Sequence, residues 1–150
     1  MLKNIPSNLS PDLLHVLASM GHGDELVLAD ANFPTSSTCR AGPREVRADG
    51  QTIPQLLESL LQLLPLDSYV PQPVALMDMV PEDKAAGLQA PVWEEYRRLL
   101  ALSEGAPVGV ELVERFAFYE RAKRSFAVVH TGERSLYGNI ILKKGVIKQA

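Results

Sequence analysis

The chain has 150 residues, 46% of them hydrophobic and 22% charged, the balance of an ordinary folded protein, and its length predicts one domain spanning 1–150. Its 15 Lys and Arg against 18 Asp and Glu give a formal charge of -3, which offers no electrostatic footprint to nucleic-acid phosphates or anionic membranes. Cys39 is the only cysteine, so no disulfide can form within the chain, and the usage suits a reducing compartment.

Met1 to Pro6 contains no apolar run of signal-peptide length. The longest apolar patch, Leu56 to Leu66, is broken by Glu58, Ser59, Gln62 and Pro65. It is shorter than the ~20 residues that span a bilayer. A cytoplasmic location is expected. Ser10, Pro11 and Asp12 form a helix start, with a cap, a residue suited to the first turn and a charge that favours the dipole. Leu13, Leu14, Leu17 and Met20 continue it as an apolar stripe, and Gly21 is expected as a left-handed stop. Leu26 to Ala29 reads as a buried strand ending at Asp30. Residues 31–43 read as a loop rich in Pro, Ser and Thr, and Glu45 to Ala48 as a short strand closed by an Asp49-Gly50 turn. Thr52 is positioned to cap a helix carrying Leu56, Leu57, Leu60, Leu61 and Leu64, stopped by Pro65.

Val74 to Val80 is expected as a strand, Pro81 to Gln89 as a solvated polar loop, and Pro91 to Leu102 as a helix. Then come a strand at Val110 to Val113, a helix at Phe116 to Arg124, a strand at Phe126 to Val129, a turn at Thr131 to Glu133 and a strand at Asn139 to Leu142. Alternating helices and apolar strands point to an α/β fold with both sheet faces covered.

Phosphate-binding glycine loops, dinucleotide fingerprints and a Ser-centred nucleophile elbow are absent from the sequence, and a lone cysteine excludes Cys-based zinc sites. Three clusters remain. His22 sits between Gly21 and Gly23, ahead of a strand that delivers Asp30 at its C-terminal end, where open α/β sheets place ligands. A strand from Glu25 to Asp30 runs about 20 Å at ~3.3 Å per residue. His22 and Asp30 therefore share a pocket only if the chain doubles back or neighbouring subunits contribute one each. A metal reading of His22, Asp24 and Asp30 lacks a third strong ligand. In the second cluster helical spacing puts Arg115 and Tyr119 on one face, with Phe118 on another. Here a fork onto hydroxyls or a carboxylate competes with a plain structural role, in which Phe116 and Phe118 are core and Arg115 pairs with Glu114 or Glu111. The third, Tyr137-Gly138-Asn139, combines a phenol, a backbone open to close approach and an amide. His15 reads as packing or surface, and His130 as either structural or functional. Together the clusters suit a small polyhydroxylated ligand.

The strings Met20 to Glu25, Asp30 to Pro34, Arg47 to Gly50, Leu66 to Tyr69, Arg115 to Ala122 and Thr131 through Tyr137-Gly138-Asn139 to Gly145 resemble, in this order, the L-fucose mutarotase and ribose pyranase family. The resemblance covers essentially the whole chain and is closer to the fucose branch, chiefly through Phe116-Ala117-Phe118-Tyr119-Glu120-Arg121. It implies a single-domain, three-layer α/β/α sandwich around a mixed sheet, and a cofactor-free isomerase exchanging the α and β anomers of L-fucopyranose. It implies His22 as proton donor and Asp30, Arg115, Tyr119, Tyr137, Gly138 and Asn139 as sugar-binding residues. Anomer exchange also needs a second proton relay, for which the chemistry of the groups offers Tyr137 or Tyr119. Asp67 matches a family acid of open role. A homo-oligomer, a decamer or smaller, with the site near a subunit contact, is also implied. The loop Thr35 to Pro43 is longer than in the bacterial members and resembles the animal ones, and Asn32 stands where some bacterial forms carry His. Ribose pyranase activity and a non-catalytic monosaccharide-binding module are the alternatives.

Overall fold

The computed structural model describes residues 1–149. Ser10 caps the first helix, α1 (Pro11–Ser19), by accepting from the Leu13 N–H at 3.1 Å. The helix ends at Met20 in extended backbone, and the left-handed residue is Gly23 (φ 87) rather than Gly21. The turn closes instead on Asp24, which accepts from the Gly21 N–H at 2.7 Å. Strand β1 (Glu25–Ala29) follows. The stretch read as a loop holds a short helix, α2 (Thr35–Cys39), before strand β2 (Arg44–Ala48). Thr52 and Gln55 form a reciprocal capping box at α3 (Ile53–Leu60), and Leu61 and Leu64 stay buried beyond the helix.

Strand β3 (Val74–Met77) is shorter than expected; Asp78 to Val80 leave the sheet and start α4 (Pro81–Ala85), inside the stretch read as a solvated loop. Helix α5 (Pro91–Glu104) ends at left-handed Gly105. Strand β4 (Val110–Val113), helix α6 (Arg115–Ala122), strand β5 (Ala127–Thr131) and strand β6 (Ile140–Lys143) complete the chain.

The strands form one sheet in the order β2-β5-β1-β6-β3-β4. β1 and β2 run parallel to β5, and β3 parallel to β4; β6 is antiparallel to β1 and β3. The sheet is therefore mixed. Alternation along the strands splits the core into two. Leu26, Leu28, Leu76, Val129 and Ile140 pack with α1, α3 and α5. Val27, Ala29, Met77, Val128 and Ile141 pack with Phe33, Phe118 and Ala122 on the other face. Three layers result, with α2 and α6 on the second face. One edge, β2, presents Arg44, Glu45 and Arg47 to solvent, which discourages edge-to-edge pairing. No helix among the described residues is long and apolar enough to cross a membrane.

Candidate active site

A cavity of about 270 Å³ opens at the C-terminal ends of β1 and β3. Its polar lining is Asp30, Asn32, Asp83, Arg115, Tyr119, Tyr137 and Asn139. Phe33, Met77, Val80 and Leu136 supply an apolar wall. Asp30 is 5% exposed. Burial raises its pKa, because a carboxylate loses water there; backbone hydrogen bonds from Asn32, Gly138 and Phe33 pull the other way. The Asn32 N–H donates to Asp30 Oδ1 at 3.0 Å. Asn139 Oδ1 accepts from the Asp30 N–H at 2.7 Å, so the amide group also locks the end of β1 to the start of β6.

The 133–139 segment is held from several sides. Glu133 accepts from the Ile53 N–H at 3.1 Å and from the Ser135 N–H at 2.9 Å. On α5, Trp93 Nε1–H donates to the Tyr137 carbonyl and the buried Tyr96 hydroxyl donates to the Gly138 carbonyl, each at 2.8 Å. These anchors hold Tyr137 at φ 58, a left-handed backbone that costs a non-glycine residue about 1–2 kcal/mol. Gly138 does not line the cavity. A Cβ there would lie 3.1 Å from Ser135 O and 3.2 Å from Glu133 Cγ, a tight fit that its neighbours would have to yield to accommodate. The Tyr137 hydroxyl accepts from the Val80 N–H at 3.2 Å and donates to Asp83 Oδ2. Burial, then the Asp83 carboxylate, pushes its pKa up.

Arg115 pairs with neither Glu114 nor Glu111. Its Nε–H donates to the Tyr119 hydroxyl at 3.2 Å, and its guanidinium lies 5.4 Å from the Phe116 ring centre and 5.5 Å from that of Tyr119. Glu111 and Glu25 are taken by Arg121. Phe118 is core, but Phe116 is 66% exposed. Arg115 thus stays in the cavity wall as a fixed cationic donor.

His22 does not line this cavity. It lies at the N-terminal end of β1, about 15 Å of strand away from Asp30, so the chain does not double back. The same separation removes the metal reading of His22, Asp24 and Asp30, and no group of three His, Cys, Asp or Glu among the described residues is placed to hold an ion. Its Nε2 is 3.1 Å from Asp67 Oδ1, which also accepts from the Tyr69 N–H at 3.0 Å. That backbone bond, then His22, lowers the Asp67 pKa. A carboxylate only accepts, which assigns the proton to Nε2 and leaves Nδ1 as the free nitrogen. The His22 side chain is 46% exposed and its ring lies 5.5 Å from that of Tyr69, itself 65% exposed. His130 does not line the cavity, its Nδ1 lying 2.8 Å from Thr35 Oγ1, and His15 is a surface residue against Arg44. Sequence reading overlooked Asp83, whose only signal was an acidic residue in a polar stretch.

Residues 3–147 match the RbsD/FucU transport protein family. The chain is 64% identical over 146 residues to the fucose mutarotase of Mus musculus, covering 97% of this chain and 95% of that protein. The chain belongs to the RbsD/FucU family. The Homo sapiens fucose mutarotase is 61% identical over 97% of this chain and 94% of its own length. The crystal structure of the Streptococcus pneumoniae fucose mutarotase in complex with L-fucose superposes with a TM-score of 0.89 at 47% identity, covering 98% of this chain and all of that one.

Proposed function

We propose that the protein is an isomerase that interconverts the α and β anomers of L-fucopyranose without a cofactor. The observation that carries this reading is the cavity itself: Asp30, Asn139, Arg115 and Tyr137 offer carboxylate, amide, guanidinium and phenol to a sugar's hydroxyls. The curated relatives at 64% and 61% identity bear that activity in their names. The apolar wall of Phe33, Met77, Val80 and Leu136 favours a 6-deoxy sugar, because a methyl gains from burial where a hydroxyl would lose its water. This supports fucose over ribose, whose pyranose form lacks the methyl, and over galactose.

The reaction needs a proton delivered to the ring oxygen while another leaves the anomeric hydroxyl. The C1–O5 bond then opens, the C1–C2 bond rotates, and the aldehyde recloses on its other face. Imidazole suits the donor role, since its pKa of ~6.5 allows exchange near neutrality. His22, with Nε2 held by Asp67, keeps Nδ1 free to give and take that proton. One chain holds His22 and Asp30 at opposite ends of β1, so His22 of a second copy completes the cavity; its exposure leaves it free to reach there. Tyr137 is the second proton-transfer group, and Asp30, Arg115, Tyr119 and Asn139 hold the sugar. Gly138 contributes through its backbone alone.

The test is saturation-transfer proton NMR on equilibrated L-fucose, irradiating one anomeric proton and following the other. Wild type accelerates transfer; His22→Ala and Tyr137→Phe lose about 10²- to 10⁴-fold, the usual worth of acid–base help. Failure of the wild type to accelerate exchange would leave a non-catalytic sugar-binding module as the better account.

A further inference from the structure

The phenol of Tyr137 is not a free end. Its proton is already committed to Asp83 Oδ2, and one lone pair is taken by the Val80 N–H at 3.2 Å. A second lone pair remains for a ligand in the cavity. Asp83 belongs to α4, lines the same cavity, and is half-buried. Among the described residues no Lys, Arg or His forms an ion pair with it, and the adjacent Lys84 is bound to Asp78 at 2.7 Å. No cation therefore competes for its lone pairs.

We propose that Asp83 is the proton terminus of the base arm, a positioning residue that acts on the sugar through Tyr137. This rests on the mutarotase reading above. The anomeric O1–H proton passes to the Tyr137 oxygen as the phenol's own proton passes to Asp83 Oδ2. The O1–H pair becomes the C1=O1 bond, and the C1–O5 pair leaves to O5, which takes a proton from the His22 imidazolium of the second copy. Reclosure reverses each transfer, returning the proton from Asp83 through Tyr137 to O1 and that from O5 to the imidazole. No oxidant, reductant or net proton is needed. Burial holds the phenol above its usual pKa, so little phenolate exists near neutrality. Tyr137 can accept a proton there only by releasing its own, and Asp83 is the group positioned to receive it.

Asp83→Asn is the discriminating variant. Its amide oxygen still accepts the phenol hydrogen bond, so Tyr137 stays oriented, but it takes no proton at neutral pH. Exchange followed by saturation transfer at a series of L-fucose concentrations separates kcat from KM. The relay requires kcat to fall about 100-fold, within the usual range of acid–base help, with KM little changed. Asp83→Glu, which keeps the carboxylate, regains part of kcat. An Asp83→Asn enzyme with wild-type kcat, or one changed in KM alone, overturns the relay while leaving the mutarotase reading intact. A wild type without exchange activity overturns that reading, and the relay with it.

Discussion

Asp30 shows what burying a carboxylate in a candidate site does to stability. Burial raises its folded pKa, so its carboxylate is favoured less in the folded chain than in the unfolded one. The neutral form costs the fold least. That advantage is complete below the unfolded value of ~3.9 and is lost as pH rises through the higher folded value. Asp30→Asn should therefore raise the melting temperature at pH 7, with the gain shrinking toward pH 3, while sugar exchange is lost. Thermal melts at the two pH values check the sign; a variant less stable at pH 7 would contradict it. Cys39 is a second legible case. Burial first, then the Glu45 charge, push its thiol up to about 11. At pH 8 its thiolate is about 100-fold scarcer than for an unperturbed thiol, so alkylation should be correspondingly slow until denaturant is added. Rapid labelling of the folded protein would refute this. Its surroundings make it an inert side chain.

Helix α5 does more for the site than its own sequence suggests. It lends no group to the cavity wall, yet Trp93 and Tyr96 fix the two carbonyls that set the Tyr137 conformation. Tyr96→Phe leaves the Gly138 carbonyl buried without its donor, at about 1–3 kcal/mol. The expected result is a lower melting temperature together with weaker L-fucose binding by calorimetry; unchanged affinity would separate α5 from the site. Thr52→Ala, which removes the capping box of α3 far from the cavity, should cost about 1 kcal/mol and leave affinity alone. The longer elements were legible because their stripes repeat at helical or strand spacing, as with Leu56, Leu57 and Leu60 or Leu26 to Ala29. Helices α2 and α4 were not, since Thr35 to Cys39 is β-branched and polar, and Pro81 to Ala85 buries no residue. Missing α4 meant missing Asp83, whose partner lies 54 residues away. No local pattern marks a contact of that kind.

At the scale of the whole molecule, sheet topology decides what one chain can do alone. Strand length already set the alternatives for His22 and Asp30, and the straight course of β1 favours the shared site proposed above. β1 and β3 end at the cavity, while the segment leading into antiparallel β6 brings Tyr137 and Asn139 into it from the other direction. The opposite end of the sheet carries His22 and Tyr69, both exposed, with His22 held by the buried Asp67. What sequence alone left open was which residues belong to which end. Mixed oligomers test this most directly. His22→Ala and Asp30→Asn subunits, each inactive alone, are dissociated, combined in equal amounts and reassembled, and L-fucose anomer exchange is measured by saturation transfer. A site built from two copies leaves about one quarter of the sites with both native residues, so exchange returns to roughly that share of wild type. A mixture as inactive as its parents, with mixed assembly verified by mass, would contradict a site shared between copies.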